Sequence, residues 1–214
     1  MALRLHDDRL LEPAHREIEL AARHVLRAGE MGIDVDLMPV GHELGRDAVL
    51  EGPALGNQLA GERSFESAEA TLRTNLLSAV SLLIPLANHM ESAKSGRLGV
   101  ITSVAGDRGR PRNYTYGAAK GALAIYLQGL RTRLWASGVS VTTLKLGPVD
   151  TPMTRDHDKH ALFGKPAPVA RGIVRALDAR ESEAYLPSFW RVIMPVVKST
   201  PEALFQKLPF LTRR

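Results

Sequence analysis

Short runs of apolar and β-branched residues alternate with longer helical patterns through the second half of the chain. The strand-like runs are residues 98–102, 139–146 and 184–186, and the helical patterns are residues 66–91, 116–137 and 168–179. A strand can pair in parallel with the next one only through a crossover connection, which is usually a right-handed helix. The alternation therefore predicts an α/β fold with a doubly wound parallel sheet.

The first sixty residues are less regular. Residues 12–29 show the spacing of an amphipathic helix, and residues 33–40 alternate as a strand does. Glycines interrupt residues 41–61, where we expect a loop with a short helix or strand near residues 47–50. With 214 residues in all, the chain is long enough for one α/β domain and too short for two ordinary ones.

Composition narrows the class of protein. The net charge is +5, and the basic residues are scattered without a run of like charges, so we expect a solvated basic surface and no nucleic-acid partner. The chain contains no cysteine, which excludes disulfides and thiol chemistry. Acidic residues stand where a signal peptide needs an apolar core. These features predict a cytoplasmic protein, and we predict no metal site.

The stretch from residue 101 to residue 120 carries the candidate chemistry. Ser103 ends a strand-like run, at the sheet edge where open α/β folds bind ligands, and Tyr116 and Lys120 lie one helical turn apart. A tyrosine exchanges protons near neutral pH only when its pKa is lowered, and a neighbouring cation lowers it by stabilising the phenolate. Because Tyr-x-x-x-Lys often occurs by chance, the pair alone also fits an ordinary exposed helix pair.

Further motifs accompany this pair. Asn75 lies in Thr-Asn-Leu before the buried strand, and Gly147-Pro-Val-Asp-Thr151 follows the next strand. Together with the serine, tyrosine and lysine above, these motifs resemble the short-chain dehydrogenase/reductase family over about residues 64–187. The resemblance implies a Rossmann-like fold and a hydride transfer between NAD or NADP and a carbonyl or hydroxyl substrate.

The resemblance also implies a role for each candidate catalytic residue. Tyr116 would donate or accept the proton, and Ser103 would orient the reacting oxygen. Lys120 would lower the tyrosine pKa and hold the nicotinamide ribose. Asn75 would bind a water that extends the proton relay, and a helical asparagine that bonds backbone is an equally open interpretation.

The turn after residue 146 matches the family's contact with the nicotinamide end of the cofactor. The resemblance assigns this contact to Gly147, Val149 and Thr151, together with the tyrosine and lysine above. Leu146 replaces the family's usual proline. We expect a backbone contact at Val149 to survive that change. The choice between NAD and NADP stays open, because two acids and one arginine share the segment 6–9 that would set it.

The pyrophosphate-binding part of the family's fold is not recognisable. It consists of a first strand, a Gly-rich turn and a helix N-terminus. The spacing Gly41-His-Glu-Leu-Gly45 lacks a third glycine and lies too close to Asn75, so we interpret it as a loop. Residues 2–6 resemble the family's second strand, and residues 7–29 the loop and helix after it. We therefore expect the first strand and helix to be missing, a truncated or misassigned start, and weak cofactor binding by this form.

Residues 188–214 form a C-terminal extension that is apolar with basic interruptions. Its apolar residues near the start are Phe189, Trp190, Val192, Ile193, Met194, Val196 and Val197. A substrate lid or a dimer contact is the favoured role, and peripheral membrane contact is the less favoured alternative. Pro195 and Pro201 argue against one continuous helix.

The sequence as a whole predicts a single domain over residues 1–214 that acts as an oxidoreductase. Its substrate would be a small carbonyl or alcohol, with an apolar molecule as one option, and we expect a homo-oligomer. The alternative is a catalytically silent relative that binds or oligomerises, because the nucleotide-binding half is incomplete.

Overall fold

The computed structural model describes most of the chain after residue 55 and two earlier strands. The described residues are 36–39, 47–51, 56–151, 154, 159 and 161–208. The sequence predictions for residues 2–6, 7–29 and 41–45 lie outside them.

Five described strands form one sheet in the order β1-β2-β3-β4-β5. They are β1 Asp36–Pro39, β2 Asp47–Glu51, β3 Arg97–Ser103, β4 Ser140–Leu146 and β5 Glu183–Leu186. β2 to β5 pair in parallel, as predicted, whereas β1 pairs with β2 antiparallel. The register of β3 and β4 brings Ser103 opposite Leu146 at their carboxyl ends. The parallel part of the sheet thus begins at β2, and its carboxyl edge carries the candidate serine.

Helices connect the parallel strands as the sequence predicts. The described α-helices are α1 Gln58–Gly61, α2 Phe65–Leu72, α3 Ser78–Ala93, α4 Tyr114–Leu134, α5 Pro166–Asp178, α6 Trp190–Ser199 and α7 Glu202–Phe205. α4 forms the crossover from β3 to β4, and α5 the crossover from β4 to β5. Gly138 closes the end of the α4 segment with a φ of 71°, a conformation that favours glycine.

Two apolar clusters on opposite faces of the sheet make the core, which is the doubly wound arrangement. The first joins α3 and α4 to β3 and β4 through Leu83, Leu98, Leu127 and Val141, among others. The second joins α5 to β4 and β5 and includes Leu144, Val169, Leu177 and Leu186. The alternation of residues along β4 explains the division, because odd and even positions of a strand point to opposite faces.

α2 and α3 form one long helix through a π-helical turn at Arg73–Leu77. The Ser64 side chain caps its start, accepting a hydrogen bond from the Ser67 amide at 3.3 Å. The helix continues past Pro85 to Ala93. The proline removes only the hydrogen bond to the carbonyl of Ser81, and Ser81 is exposed, so water can replace that bond.

The same helix is the one described segment that could cross a membrane by length and composition. It spans Phe65–Ala93, 29 residues. Leu82, Leu83, Ala87 and Met90 are buried in the first core cluster. A helix in the core of an α/β domain can be equally long and apolar, and these contacts identify α3 as such a core helix.

The C-terminal extension packs against the domain. Trp190 and Met194 of α6 are buried against Val104, just after β3. Pro201 separates α6 from α7, as predicted, but Pro195 lies inside α6 and does not break it. It removes only the hydrogen bond to the carbonyl of Arg191, on the exposed side of the helix, where water can replace the bond.

Candidate active site

The Ser103 hydroxyl is fixed at the carboxyl ends of two strands. Its Oγ accepts a hydrogen bond from the Ala105 amide at 3.1 Å and donates one to the Leu146 carbonyl at 3.3 Å. The bond to Leu146 is long, so a ligand oxygen could take its place by rotation of the hydroxyl. Ser103 therefore bridges β3 and β4 at the edge where parallel sheets bind ligands.

Glycines bring the segment after Ser103 against helix α4. A Cβ on Gly121 would lie 2.8 Å from the Gly106 carbonyl oxygen, and one on Gly117 would lie 2.7 Å from the Ala105 oxygen. No Cβ fits at these distances, so the two helix glycines permit direct backbone contact between α4 and the 3₁₀ turn Val104–Gly106. This glycine contact sets the distance between the strand that carries the serine and the helix that carries the tyrosine.

Tyr116 and Lys120 lie on the buried side of α4. Only 2% of Lys120 is exposed, and Tyr116 is buried as well. Lys120 Nζ lies 5.7 Å from the centroid of the Tyr116 ring and donates a hydrogen bond to the Ile101 carbonyl of β3 at 3.2 Å. Lysine is almost never so deeply buried unless it is paired or functional. The two residues are therefore not the exposed helix pair that the spacing alone also allowed.

Asn75 lies in the π-helical turn, which contacts α4. It is 1% exposed, and its Nδ2 donates a hydrogen bond to the Thr71 carbonyl at 3.0 Å. This bond fits one of the two interpretations of Asn75 given above, that of a helical asparagine bonded to the backbone. π-helical turns often mark functional sites, because the extra residue displaces one side chain from the regular helix. The role of Asn75 in a proton relay remains a prediction.

The turn at residues 147–151, here called the cofactor turn, follows β4. The Gly147 amide donates to the Leu186 carbonyl at 2.9 Å, and a Cβ on Gly147 would lie 1.9 Å from Nε1 of Trp190. Only glycine therefore fits beneath the Trp190 indole. Val149 is buried and pairs with Gly164 in an isolated parallel bridge.

Thr154 organises the cofactor turn and was not singled out from the sequence. Its hydroxyl donates to the Val149 carbonyl at 2.6 Å and accepts from the Thr151 amide at 3.2 Å. It thus connects two of the three residues predicted to contact the nicotinamide end. The spacing Thr151-x-x-Thr154 is the signal that could have revealed it, because a threonine can bond backbone groups three residues away.

A nicotinamide cofactor fits the described residues at one end only. The phenol of Tyr116, the ammonium of Lys120 and the hydroxyl of Thr151 are the donor types that a ribose and a carboxamide require. The pyrophosphate normally binds where a strand passes through a Gly-rich turn into a helix. In the described residues no helix begins at such a turn, and the strand beside β2 is antiparallel. Among those residues there is also no group of side chains that could hold a metal ion.

Comparison with known proteins agrees with this fold. The sequence model of the short chain dehydrogenase family matches residues 47–161. A crystal structure of a short chain dehydrogenase from Burkholderia cenocepacia, in complex with NADP, has a TM-score of 0.69 and 19% sequence identity. The match covers 89% of this chain and 74% of that one.

Two bacterial relatives are similar in sequence. An uncharacterized oxidoreductase of Mycobacterium tuberculosis is 33% identical over 162 residues, which cover 76% of this chain and 65% of the relative. An uncharacterized oxidoreductase of Streptomyces coelicolor is 30% identical over 153 residues, which cover 72% of this chain and 61% of the relative. The matched part thus spans less than two thirds of each relative's length. Because the family model matches more than half of the residues, the chain belongs to the short chain dehydrogenase family.

Proposed function

We propose that the chain is an oxidoreductase that transfers a hydride between NAD(P)(H) and a carbonyl or hydroxyl substrate, with Tyr116 as the proton donor or acceptor. The observation that carries the proposal is the buried Lys120 ammonium, 5.7 Å from the Tyr116 ring and bonded to the Ile101 carbonyl. A buried cation beside a phenol can shift the protonation of that phenol, so this placement favours a chemical role.

Each candidate catalytic residue would have a separate role in the proton transfer. The Lys120 charge favours the phenolate form of Tyr116, which lets the phenol exchange a proton with the substrate oxygen. The Ser103 hydroxyl, held between β3 and β4, would donate a hydrogen bond to the same oxygen and orient it toward the tyrosine. Asn75 would hold the water that returns the proton to solvent.

The cofactor supplies the hydride when it is bound. Lys120 and Tyr116 would hold the nicotinamide ribose, and Gly147, Val149 and Thr151 would contact the carboxamide. The NADP found in the Burkholderia neighbour supports NADP as the first candidate, with NAD as the second.

The substrate would be a small carbonyl or alcohol with an apolar body. Trp190 and Met194 of the C-terminal extension pack on Val104, immediately after Ser103. Because the extension lies next to the residue that follows Ser103, it is placed to cover an apolar group of a bound substrate. This packing supports the interpretation of the extension as a lid. Because Trp190 and Met194 are buried, they are not on a surface that could contact a membrane.

The test is NADPH-dependent reduction of a panel of apolar ketones and aldehydes by the native chain and by Tyr116→Phe. We expect the variant to lose at least about a hundredfold in kcat, the contribution typical of a positioned acid or base. Tyr126→Phe is the matched control, since Tyr126 lies on the same helix, ten residues further on. Equal activity of Tyr116→Phe and the native chain would contradict the proposal.

A catalytically silent binding protein is the second candidate. It is favoured by one observation, that the described residues hold no strand, Gly-rich turn and helix to receive a pyrophosphate. Titration of NADPH fluorescence distinguishes the two. Binding in the micromolar range supports the enzyme, whereas no binding together with no turnover at high cofactor supports the silent protein.

The proposal includes a cytoplasmic location and self-association. Large apolar side chains are exposed on and next to α3 and α4. Ile84 lies on α3 and Ile125 on α4, while Leu77 ends the π-helical turn before α3. Trp135, just after α4, is 81% exposed. Neighbouring helices that expose such residues commonly pack on a second copy. Light scattering after gel filtration tests this, and Ile125→Glu should shift a dimer toward monomer.

A further inference from the structure

A buried cluster of charged and polar side chains lies beside the segment that follows Ser103. Lys145 Nζ of β4 is 2.7 Å from Asp107 Oδ1 and 2.8 Å from Glu183 Oε2. The Tyr185 hydroxyl donates to Asp107 Oδ2 at 2.6 Å. Both oxygens of one carboxylate are thus occupied by side chains from β4 and β5.

The two central side chains of the cluster are buried and paired with each other. The side chains of Asp107 and Lys145 are each 6% exposed. Burial lowers the pKa of Lys145, but the hydrogen bonds and charges of Asp107 and Glu183 outweigh burial and raise it above its ordinary value. Burial, reinforced by Asp107, raises the pKa of Tyr185. Lys145 therefore stays charged and Tyr185 stays protonated. Removing Lys145 would leave the Asp107 carboxylate buried without a cation, which is strongly unfavourable.

The position of Asp107 connects this cluster to the candidate active site. Residues 103–108, here called the serine loop, leave β3 and pass through the 3₁₀ turn to Asp107 and Arg108. Gly106 contacts α4 at Gly121. The loop is therefore held on one side by the helix that carries Tyr116 and on the other by the ion pair with Lys145.

The C-terminal extension holds the next residue of the same loop. Arg108 donates to the carbonyls of Lys198 at 3.1 Å and Thr200 at 2.9 Å, and it pairs with Glu202 at 2.7 Å. Its guanidinium also lies 4.3 Å from the centroid of the Phe205 ring. One arginine thus contacts the end of α6, the residue that follows it and both ends of α7, which is more than a surface ion pair provides.

We propose that Asp107, Lys145 and Tyr185 are positioning residues that fix the serine loop for proton transfer, and that Arg108 extends this support to the C-terminal helices. The proposal rests on the proposed function, because the geometry it protects is that of Ser103 relative to Tyr116. It assigns the C-terminal extension a part in turnover as a support of the loop.

The experiment compares Tyr185→Phe, Asp107→Asn and Arg108→Lys with the native chain. Tyr185→Phe removes a single hydroxyl and leaves the ring in place, so it reports on the cluster even if Asp107→Asn does not fold. Asp178→Asn is the matched control, because it breaks an ion pair with Arg97 at the opposite end of β3.

Two measurements are made on each variant. The first is hydrogen exchange in the peptides that cover residues 103–113, which needs no activity. We expect exchange there to be about fivefold faster in Tyr185→Phe, as expected from the loss of one hydrogen bond. The second is kcat and KM, where kcat should fall about tenfold with KM nearly unchanged, because small misplacements of reacting groups chiefly slow the chemical step.

The outcomes separate this proposal from the proposed function. If the native chain has no turnover, the proposed function fails and hydrogen exchange alone decides whether the cluster holds the loop. Exchange that is unchanged in the serine loop, or equally faster across the whole sheet, would overturn the proposal. So would faster exchange in the loop of an active chain whose kcat stays the same.

Discussion

The serine loop and the cofactor turn leave neighbouring strands, and they are held in different ways. The serine loop is in direct backbone contact with α4 through glycines, and its Asp107 is in a buried ion pair. The cofactor turn is held by backbone hydrogen bonds, from Gly147 to Leu186 and from Asp150 to Gly164, and by the hydroxyl of Thr154. The serine loop is thus fixed in part by a buried ion pair between side chains, whereas the cofactor turn is fixed chiefly by backbone bonds and one threonine hydroxyl.

The two sides of the sheet show a similar contrast. β3 and β4 pair in parallel over seven residues, with helices on both faces, whereas β1 pairs antiparallel with β2 over four. An antiparallel strand presents the opposite end to the ligand edge and does not lead into a helix there. The side of the sheet that carries the proton-transfer residues is regular, and the side that should support the pyrophosphate is not.

The largest expected effect on stability comes from the glycine contact. Gly121→Ala would place a Cβ 2.8 Å from the Gly106 oxygen and should lower the free energy of unfolding by about 2 kcal/mol, since backbone cannot yield as a side chain can. Urea denaturation measures the loss. Gly129→Ala on the same helix faces open space and should instead stabilise the chain by about 1 kcal/mol. Equal effects of the two changes would contradict the contact.

Lys120→Met tests whether Lys120 takes part in the proton transfer. The substitution keeps the buried volume and removes a buried charge, so the fold should be retained, while kcat should fall by about a hundredfold. Steady-state kinetics with NADPH measure this, together with a thermal melt. Lys207→Met, at an exposed position, should change neither. An active Lys120→Met variant would rule out the role assigned to the lysine.

The serine loop should also make the chain sensitive to alkaline pH. The pKa values of Lys145 and Tyr185 are raised above their ordinary values of 10.5 and 10.0, so the native state holds these protons more tightly than the unfolded state. Their stabilisation is fully present below about pH 10 and is lost as the pH rises through the raised values. Denaturation measured from about pH 9 to about pH 12 should show this loss, and a smaller one in Tyr185→Phe. Identical pH profiles would contradict it.

The smallest expected effect lies in the cofactor turn. Thr154→Val keeps the shape of the side chain but loses the bonds to Val149 and Thr151, and KM for NADPH should rise about fivefold with kcat little changed. Initial rates at varied NADPH measure it. Thr132→Val, on the exposed side of α4, is the control. A fall in kcat as large as that of Lys120→Met would show that the turn is as critical as the serine loop.

Much of the architecture follows from local patterns. The parallel strands β3, β4 and β5 and the helices between them were predicted within a few residues, because buried strands and amphipathic helices have distinct periodicities. The segment at residues 47–51 was ambiguous, because a run of five residues fits a short helix or a strand, and only pairing with β3 decides it. The antiparallel pairing of β1 is not encoded in any local signal.

The sequence by itself determined which residues carry the candidate chemistry. Ser103, Tyr116 and Lys120 could be selected because their spacing, together with Asn75 and the turn at residues 147–151, resembles that of the short chain dehydrogenase family. Strand ends and helical turns are consistent with that choice. Only the tertiary structure revealed the ion pair of Asp107 with Lys145 and the contacts of Arg108 with the C-terminal helices. Their partners are mostly far apart in sequence, and contacts of that kind arise from packing, which no local pattern records.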